Sequence, residues 1–328
     1  MTMVTVVTPA FNSAAYISAA IESVLKQTFQ DLEMIVVDDG STDNTKEIVS
    51  KYVQKYPEKI RYLFQENRGP GAARNTAIRN ACGDYLALLD ADDIWLPEKL
   101  ALQLQFLKEN PAYSFVFTDA FAMDETGKKG ETMMQLKNPV SGRVFFDLIK
   151  QNFILSPTPL AKKESFEKVG YFSENRLFRV GEDHHFWLKV AHFYQGGYLD
   201  KPLACYRMRQ EGLSGGGVVS RCKGIDGQLL VLDAISQEFP VASKKGKPHF
   251  RRARAILHFE MGYAYYRENN FTQARREFLL SIKEDWLFGK AYHTLFLVIF
   301  FPRNILIKRN EKKEVDEAQW FGNKRREK

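Results

Sequence analysis

A mostly parallel α/β sheet covered by helices, followed by a small all-helical extension, is the fold this sequence predicts. Two observations carry the sheet. Short apolar, β-branched runs alternate with helical stretches through the first hundred residues, and repeated strand–helix units of that length call for parallel strands joined by crossover helices on both faces. Two of those runs stop at carboxylates, Asp38-Asp39 and Asp90-Ala91-Asp92-Asp93, at strand ends where open α/β sheets build a ligand crevice. A third observation carries the extension: from about Pro248 the pattern is wholly helical. The 328 residues suffice for one large α/β domain, residues 1–243, and an appendage, 244–328.

Residues 4–8 form a β-branched run closed by Pro9, with a helical stretch over 14–26. The next apolar strand covers 33–37. It breaks at DDGSTDNT, where Ser41, Thr42, Asp43 and Asn44 are all N-cap residues for a helix through about Tyr56. A third strand spans 60–64. Gly69-Pro70-Gly71 opens a helix over 72–81, proline being suited to a first helical turn. The fourth strand, 85–89, ends in the second aspartate cluster, and Pro97 starts another helix. The middle third is less regular: 113–122 reads as a strand, 124–138 as a polar loop and 152–160 as a proline-rich turn. Gly181-Glu182-Asp183 leads into a helix whose Phe186, Trp187, Val190 and Phe193 have helical spacing. EGLSGGGVVS, with its four glycines, makes 213–220 a mobile loop.

Residues 256–281 spell a pattern like one tetratricopeptide unit, with Gly262, Tyr265, Asn270-Phe271, Ala274 and Phe278. One such unit cannot bury its own face, and arrays need about three or more. The hairpin is therefore expected to dock on the main domain or on a second copy of the chain, a homodimer, rather than to form a peptide-binding array. The apolar run 295–301 falls well short of the ~20 residues a membrane span needs. It reads as core, or as an interfacial segment with Arg303, Lys308, Arg309, Lys312 and Lys313 at the headgroups.

Charge and cysteine content narrow the setting. Residues 1–243 carry 27 Lys+Arg against 30 Asp+Glu, whereas 244–328 carry 20 against 10. A mildly acidic body with a basic tail argues against a nucleic-acid binder and suits peripheral contact with an anionic membrane, or a solvated tail that aids solubility. Cys82, Cys205 and Cys222 have no metal-ligand or redox-pair spacing and read as reduced thiols of a cytoplasmic protein. MTMVTVVTPAFN runs straight into a strand pattern, so no signal peptide is expected.

Carboxylates in a phosphate crevice require a bridging cation, or hydrogen bonds to a base or sugar. TPAFN (8–12), VVDDGSTDNT (36–45), NRGPGAARNTAI (67–78), LDADD (89–93) and GEDHHFW (181–187) follow the order of those motifs in family 2 glycosyltransferases. Residues 3–210 resemble that family, and the combination is specific where any one motif is weak. The resemblance implies a GT-A fold, with a nucleotide-binding half over about 1–110 and an acceptor half over 111–243. It implies a nucleotide-diphospho-sugar donor (a UDP-sugar first), Mn²⁺ or Mg²⁺, inversion at the anomeric carbon, and a saccharide or lipid-linked saccharide acceptor at the inner face of a membrane.

In similar enzymes the aspartate at Asp39 contacts uracil. Asp38 is its neighbouring candidate, and since adjacent carboxylates on a strand point to opposite faces, one is expected at the ligand and the other capping the next helix. Pro9 and Asn12 would wall the base and ribose pocket, Pro9 being equally readable as a strand terminator. Asn67, Gly69 and Arg74 surround a helix start where N–H groups and a guanidinium suit a diphosphate or sugar. Asp90-Ala91-Asp92 is a DxD motif: Asp92 is expected on the metal, with Asp90 as companion and Asp93 orienting the following turn. Asp183 is implied as general base with Glu182 in reserve, the alternative being a plain helix cap.

The sequence departs from the family at Tyr206-Arg207-Met208-Arg209. Many relatives carry a histidine near the diphosphate or metal in the slot of Arg209, which cannot ligate a cation but can neutralise a diphosphate directly. Strict metal dependence is therefore in doubt, and the 213–220 loop is expected to close over bound donor. A rival reading keeps the fold as a silent binding scaffold acting through the C-terminal hairpin. A dinucleotide dehydrogenase is excluded, because no G-x-G-x-x-G follows the first strand.

Overall fold

The computed structural model describes residues 3–175, 178, 180–209 and 218–300. The chain runs through β1 (Val4–Ala10), α1 (Ile17–Leu25), β2 (Leu32–Asp38), α2 (Thr45–Lys55), β3 (Ile60–Phe64), α3 (Pro70–Arg79), β4 (Tyr85–Leu88), β5 (Ile94–Trp95) and α4 (Lys99–Glu109). It continues through β6 (Tyr113–Met123), β7 (Lys129–Thr132), α5 (Phe145–Lys150), β8 (Leu160–Lys162), α6 (Lys163–Val169), α7 (Glu182–Phe193) and β9 (Gln195–Arg207). Five helices close it: α8 (Val218–Glu238), α9 (Pro240–Lys245), α10 (Lys247–Arg267), α11 (Phe271–Glu284) and α12 (Gly289–Phe300).

The sheet order is β3-β2-β1-β4-β8-β6-β9-β5, with β7 on β6. Strands β3, β2, β1 and β4 pair in parallel, as the crossover helices demand. Period-two alternation divides β2 between two apolar layers: Met34 and Val36 face one, Ile35 and Val37 the other. Burial on both faces is why the run reads as continuously apolar.

Four strands, β5, β7, β8 and β9, are not legible in the sequence. Strand β5 is two residues long, β8 lies at the end of the stretch taken for a proline-rich turn, and β9 interrupts its apolar pattern with Gly196, Gly197, Asp200 and Lys201. The polar loop over 124–138 contains the short strand β7. Helical character begins at Val218, ahead of the expected onset, and α9 spans residue 243.

The extension docks on the sheet domain. Ile225, Val231 and Leu232 of α8 and Phe250, Ala253 and Leu257 of α10 share one apolar cluster with Val7, Phe115 and Trp187. Helices α10 and α11 meet at Gly262, where a Cβ would stand 2.7 Å from the Phe278 ring. Leu295 and Val298 of α12 join that hairpin's core, so this part of the apolar run is packing. Arg303 to Lys313 lie outside the described residues. Among the described residues no helix is long and apolar enough to cross a membrane.

A buried lysine lies beside the sheet. Lys99 at the start of α4 is fully buried; its Nζ donates to Gln103 Oε1 at 2.8 Å and stands 4.1 Å from the Trp95 ring centroid. Burial holds its ammonium well below the ordinary lysine range. Between that lowered value and the unfolded one, the unfolded chain binds the extra proton, so stability rises with pH across the window. Lys99→Met is expected to flatten that rise, measured as denaturant midpoints across alkaline pH.

Candidate active site

The sheet order reverses at β1, with β2 on one side and β4 on the other, and a crevice of about 520 Å³ opens there at the strand ends. Pro9, Asn12, Asp39, Asn67, Gly69, Arg74, Asp90, Ala91, Asp92, Glu182, Asp183 and Arg209 all line it. Segments nearly two hundred residues apart in the chain thus share one cavity.

Asp38 does not line the crevice. Its Oδ1 accepts the Ser41 N–H at 2.8 Å and its Oδ2 the Tyr62 hydroxyl at 2.8 Å, so it orders the turn before α2 from the opposite side of the strand. Asp39 faces the crevice. Its Oδ1 accepts from Gln65 Nε2 (2.7 Å) and the Arg68 N–H (2.9 Å), and its Oδ2 from the Gly69 N–H (2.8 Å). A carboxylate offers about four lone-pair sites, which leaves one for a ligand donor. Asn67 Nδ2 donates to the Asp39 carbonyl at 3.0 Å. Asn12, at φ 47°, accepts the Thr42 N–H on its Oδ1 at 2.8 Å and so ties the β1 loop to the β2 loop.

Arg74 is not the open anion receptor that its place near the start of α3 suggests. Its side chain is 4% exposed, with Nη1 donating to Glu182 Oε1 at 2.5 Å and Nη2 to Asp90 Oδ1 at 2.7 Å and Ser156 Oγ at 3.2 Å. Burial works against its charge, but Asp90, Glu182 and Asp183 outweigh burial and keep it protonated. Glu182 is pushed up to about 7 by burial, against the Arg74 pull and with Asp183 adding to the rise. Gly71 permits this clamp: a Cβ there would sit 2.5 Å from the Ser173 carbonyl oxygen and 3.5 Å from Glu182 Cγ. The acidic pair at the start of α7 is therefore divided. Glu182 is buried on Arg74, whereas Asp183 is only partly covered and accepts the His184 N–H at 2.7 Å. His184 and His185 turn away, toward the Leu148 carbonyl and Glu238.

On the other wall, Asp92 Oδ2 meets Arg209 Nη1 at 3.2 Å. Burial and the Asp90 charge push the Asp92 carboxyl above its usual range, against Arg209. Asp93 is buried, its Oδ1 accepting the Arg207 N–H at 2.8 Å. Arg207 in turn donates from Nε to the Asp92 carbonyl at 2.8 Å. These two bonds lock the β4–β5 turn, which carries the DxD residues, to β9. Arg207 and Arg209 also lie over the Tyr16 ring, at 4.8 and 5.1 Å.

A family model described as Glycosyl transferase family 2 matches residues 5–170. The chain belongs to glycosyl transferase family 2. Among curated relatives, the putative teichuronic acid biosynthesis glycosyltransferase TuaG of Bacillus subtilis is 43% identical over 65% of this chain and 81% of its own. The chain spans only about a third of three uncharacterized rickettsial glycosyltransferases that it also matches. Among solved structures, S. aureus TarS 1-349 in complex with UDP-GlcNAc superposes with a TM-score of 0.57 at 19% identity, covering 90% of this chain and 92% of that one. The mannosyltransferase PcManGT from Pyrobaculum calidifontis, in complex with GDP-Man and Mn²⁺, gives 0.58 at 19% identity, covering 94% and 84%. At such identities the likeness is one of fold, and that fold is GT-A.

Members of this family typically use a divalent metal. Among the described residues, no group of three or more His, Cys, Asp or Glu side chains could hold one. Asp90 and Asp92 still fit an Mg²⁺ or Mn²⁺ ion of the kind that substrate phosphates and water help to hold. They do not make an all-protein cage. Sequence reasoning missed Ser156, which braces Arg74, and Arg207, which braces Asp92. Ser156 lies in the stretch read as a turn, and Arg207 was passed over for its neighbour Arg209. Of the expected mobile loop, residues 213–217 lie outside the described residues, and 218–220 open α8.

Proposed function

We propose that this family 2 glycosyltransferase moves a sugar with inversion from a nucleotide-diphospho-sugar, a UDP-sugar first, to a hydroxyl of a saccharide or lipid-linked saccharide. The proposed setting is cell-surface polysaccharide synthesis at the inner face of the membrane, and the relative TuaG is itself named for teichuronic acid biosynthesis. The observation that carries the reading is the division of the carboxylates. All five acids, Glu182, Asp183, Asp90, Asp92 and Asp39, line the crevice in which a donor and an acceptor can meet, but Glu182 is buried on Arg74 while Asp183 is partly exposed.

Asp39 accepts the N3–H of the base, with Pro9, Asn12 and Asn67 walling the nucleoside. Asp92 and Asp90 would hold a cation, which would offset the charge of the leaving diphosphate. Arg209, held 3.2 Å from Asp92, lies where its guanidinium can turn from that carboxylate to the diphosphate. Asp183 takes the acceptor hydroxyl's proton as that oxygen attacks C1 and the C1–oxygen bond to the diphosphate breaks. One displacement inverts the centre and needs a single base, with no covalent intermediate. Both supporting complexes hold nucleotide-sugars.

Calorimetric titration with UDP and with GDP, each with Mn²⁺ and with EDTA, tests the donor half of this reading. Tighter binding of UDP, strengthened by Mn²⁺, is expected. Asp92→Ala should remove most of the Mn²⁺ enhancement and leave binding in EDTA within a few-fold. A variant that responds to Mn²⁺ as wild type does would take Asp92 off the ligand set.

A further inference from the structure

We infer that the helical extension carries a docking surface for an anionic phospholipid bilayer, formed by a basic groove between α8, α9 and α10 and by apolar side chains on its rim. Residues 239–259 hold six Lys and Arg and no Asp or Glu. The groove, about 500 Å³ in volume, is lined by Lys244, Lys247, Arg251 and Arg254 together with one acid, Glu284. Arg254 is paired with Asp233, and Arg251 donates through Nε to the Glu284 carbonyl oxygen. No ion pair among the described residues engages Lys244, Lys245 or Lys247, all three exposed. Their charge is available to an external anion.

The apolar half of the surface lies beside that charge. Val241, between the groove residues Pro240 and Ser243, is 69% exposed. Trp286 and Leu287, just beyond Glu284 at the turn into α12, are 67% and 71% exposed. A soluble surface gains nothing from a neighbouring tryptophan and leucine so fully in water. At a bilayer, tryptophan sits at headgroup level, small apolar side chains enter the acyl boundary, and lysines meet lipid phosphates. Charge complementarity thus selects an anionic membrane over a neutral apolar partner. No residue of this groove lines the donor crevice, so docking leaves that crevice open. The surface deepens the proposed function, since a lipid-linked acceptor is met at a membrane. It adds α9, α10 and the α11–α12 turn to the membrane contact expected of the 303–313 cluster, which lies outside the described residues.

The full chain is mixed with vesicles of phosphatidylcholine alone, and with vesicles containing one-third phosphatidylglycerol, and bound protein is measured by flotation. Binding to the anionic vesicles only, weakened by salt, is expected. Lys244→Glu/Lys247→Glu should lower that binding by roughly tenfold or more, since each cation near such a surface is worth about 1 kcal/mol. Trp286→Ser/Leu287→Ser should lower it at every ionic strength. Both double variants should keep wild-type circular dichroism and UDP affinity, which separates failure here from failure of the donor reading. Equal binding to both vesicle types, or unchanged binding by either folded variant, overturns the proposal. So does inorganic phosphate that displaces the protein from vesicles at matched ionic strength, because the groove is then a site for a free anion.

Discussion

Asp183→Asn is expected to lower the transfer rate by about 10²- to 10⁴-fold, the usual worth of a positioned general base, while UDP affinity stays within a few-fold. The expectation rests on the unequal burial of two adjacent acids. Glu182 is fixed on Arg74 at 2.5 Å and has no freedom to reach an acceptor, whereas Asp183 is open to the crevice and makes its one named bond to a backbone N–H. Asparagine keeps that bond and the shape of the site but cannot take a proton. Loss of rate without loss of nucleotide binding identifies the base. A variant that transfers at the wild-type rate would return the role to Glu182 or to the substrate itself.

Arg74→Met is expected to destabilise the fold by about 3–5 kcal/mol, the range for removing one partner of a buried ion pair. The guanidinium links three parts of the chain: its own helix α3, Asp90 after β4, and Glu182 at the start of α7. Removing it strands a buried carboxylate on Glu182. The sign of the pH dependence follows. A stranded carboxyl has its folded-state pKa raised further above the unfolded one, so the folded state takes up a proton and gains stability as pH falls. The deficit should therefore narrow as the pH is lowered toward about 7, the value to which Glu182 is already pushed in the intact protein, and stay level below it, where Glu182 is protonated in both proteins. Arg74→Met/Glu182→Gln should recover part of the loss at neutral pH, because the amide carries no charge to strand. Denaturant midpoints across pH read both effects. A single variant as stable as wild type would show that the clamp contributes nothing to folding.

The legible part of the fold was the part governed by local pattern. Strand β2 is buried along its whole length, and its residues 34–37 are continuously apolar because both faces are covered; such a run survives any reading. The motif residues were legible because each stands at a break in such a run, where the backbone turns and side chains face the crevice. Strands β5, β8 and β9 were not legible: their pairing partners lie far away in the chain, and β9 carries glycines and charges through its middle. Their place in the sheet comes from long-range pairing rather than from propensity.

The site divides along the same line. Residue type and spacing alone were enough to bring Asp39, Asp90, Asp92 and Asp183 forward as candidates, since a strand end or helix start limits what a carboxylate there can do, and all four line the crevice. How two adjacent acids differ was decided by the fold: Tyr62 and Ser41 hold Asp38 away from the crevice, and Arg74 buries Glu182 in its wall. Arg74, expected at the phosphate, lines the crevice as a clamp between acids brought in from β4 and α7. Ser156 and Arg207 enter the site only as braces, through contacts 82 and 115 residues apart in sequence. Local chemistry names the groups able to react, but the burial and pairing that make one carboxylate available and its neighbour inert arise only when distant segments close on each other.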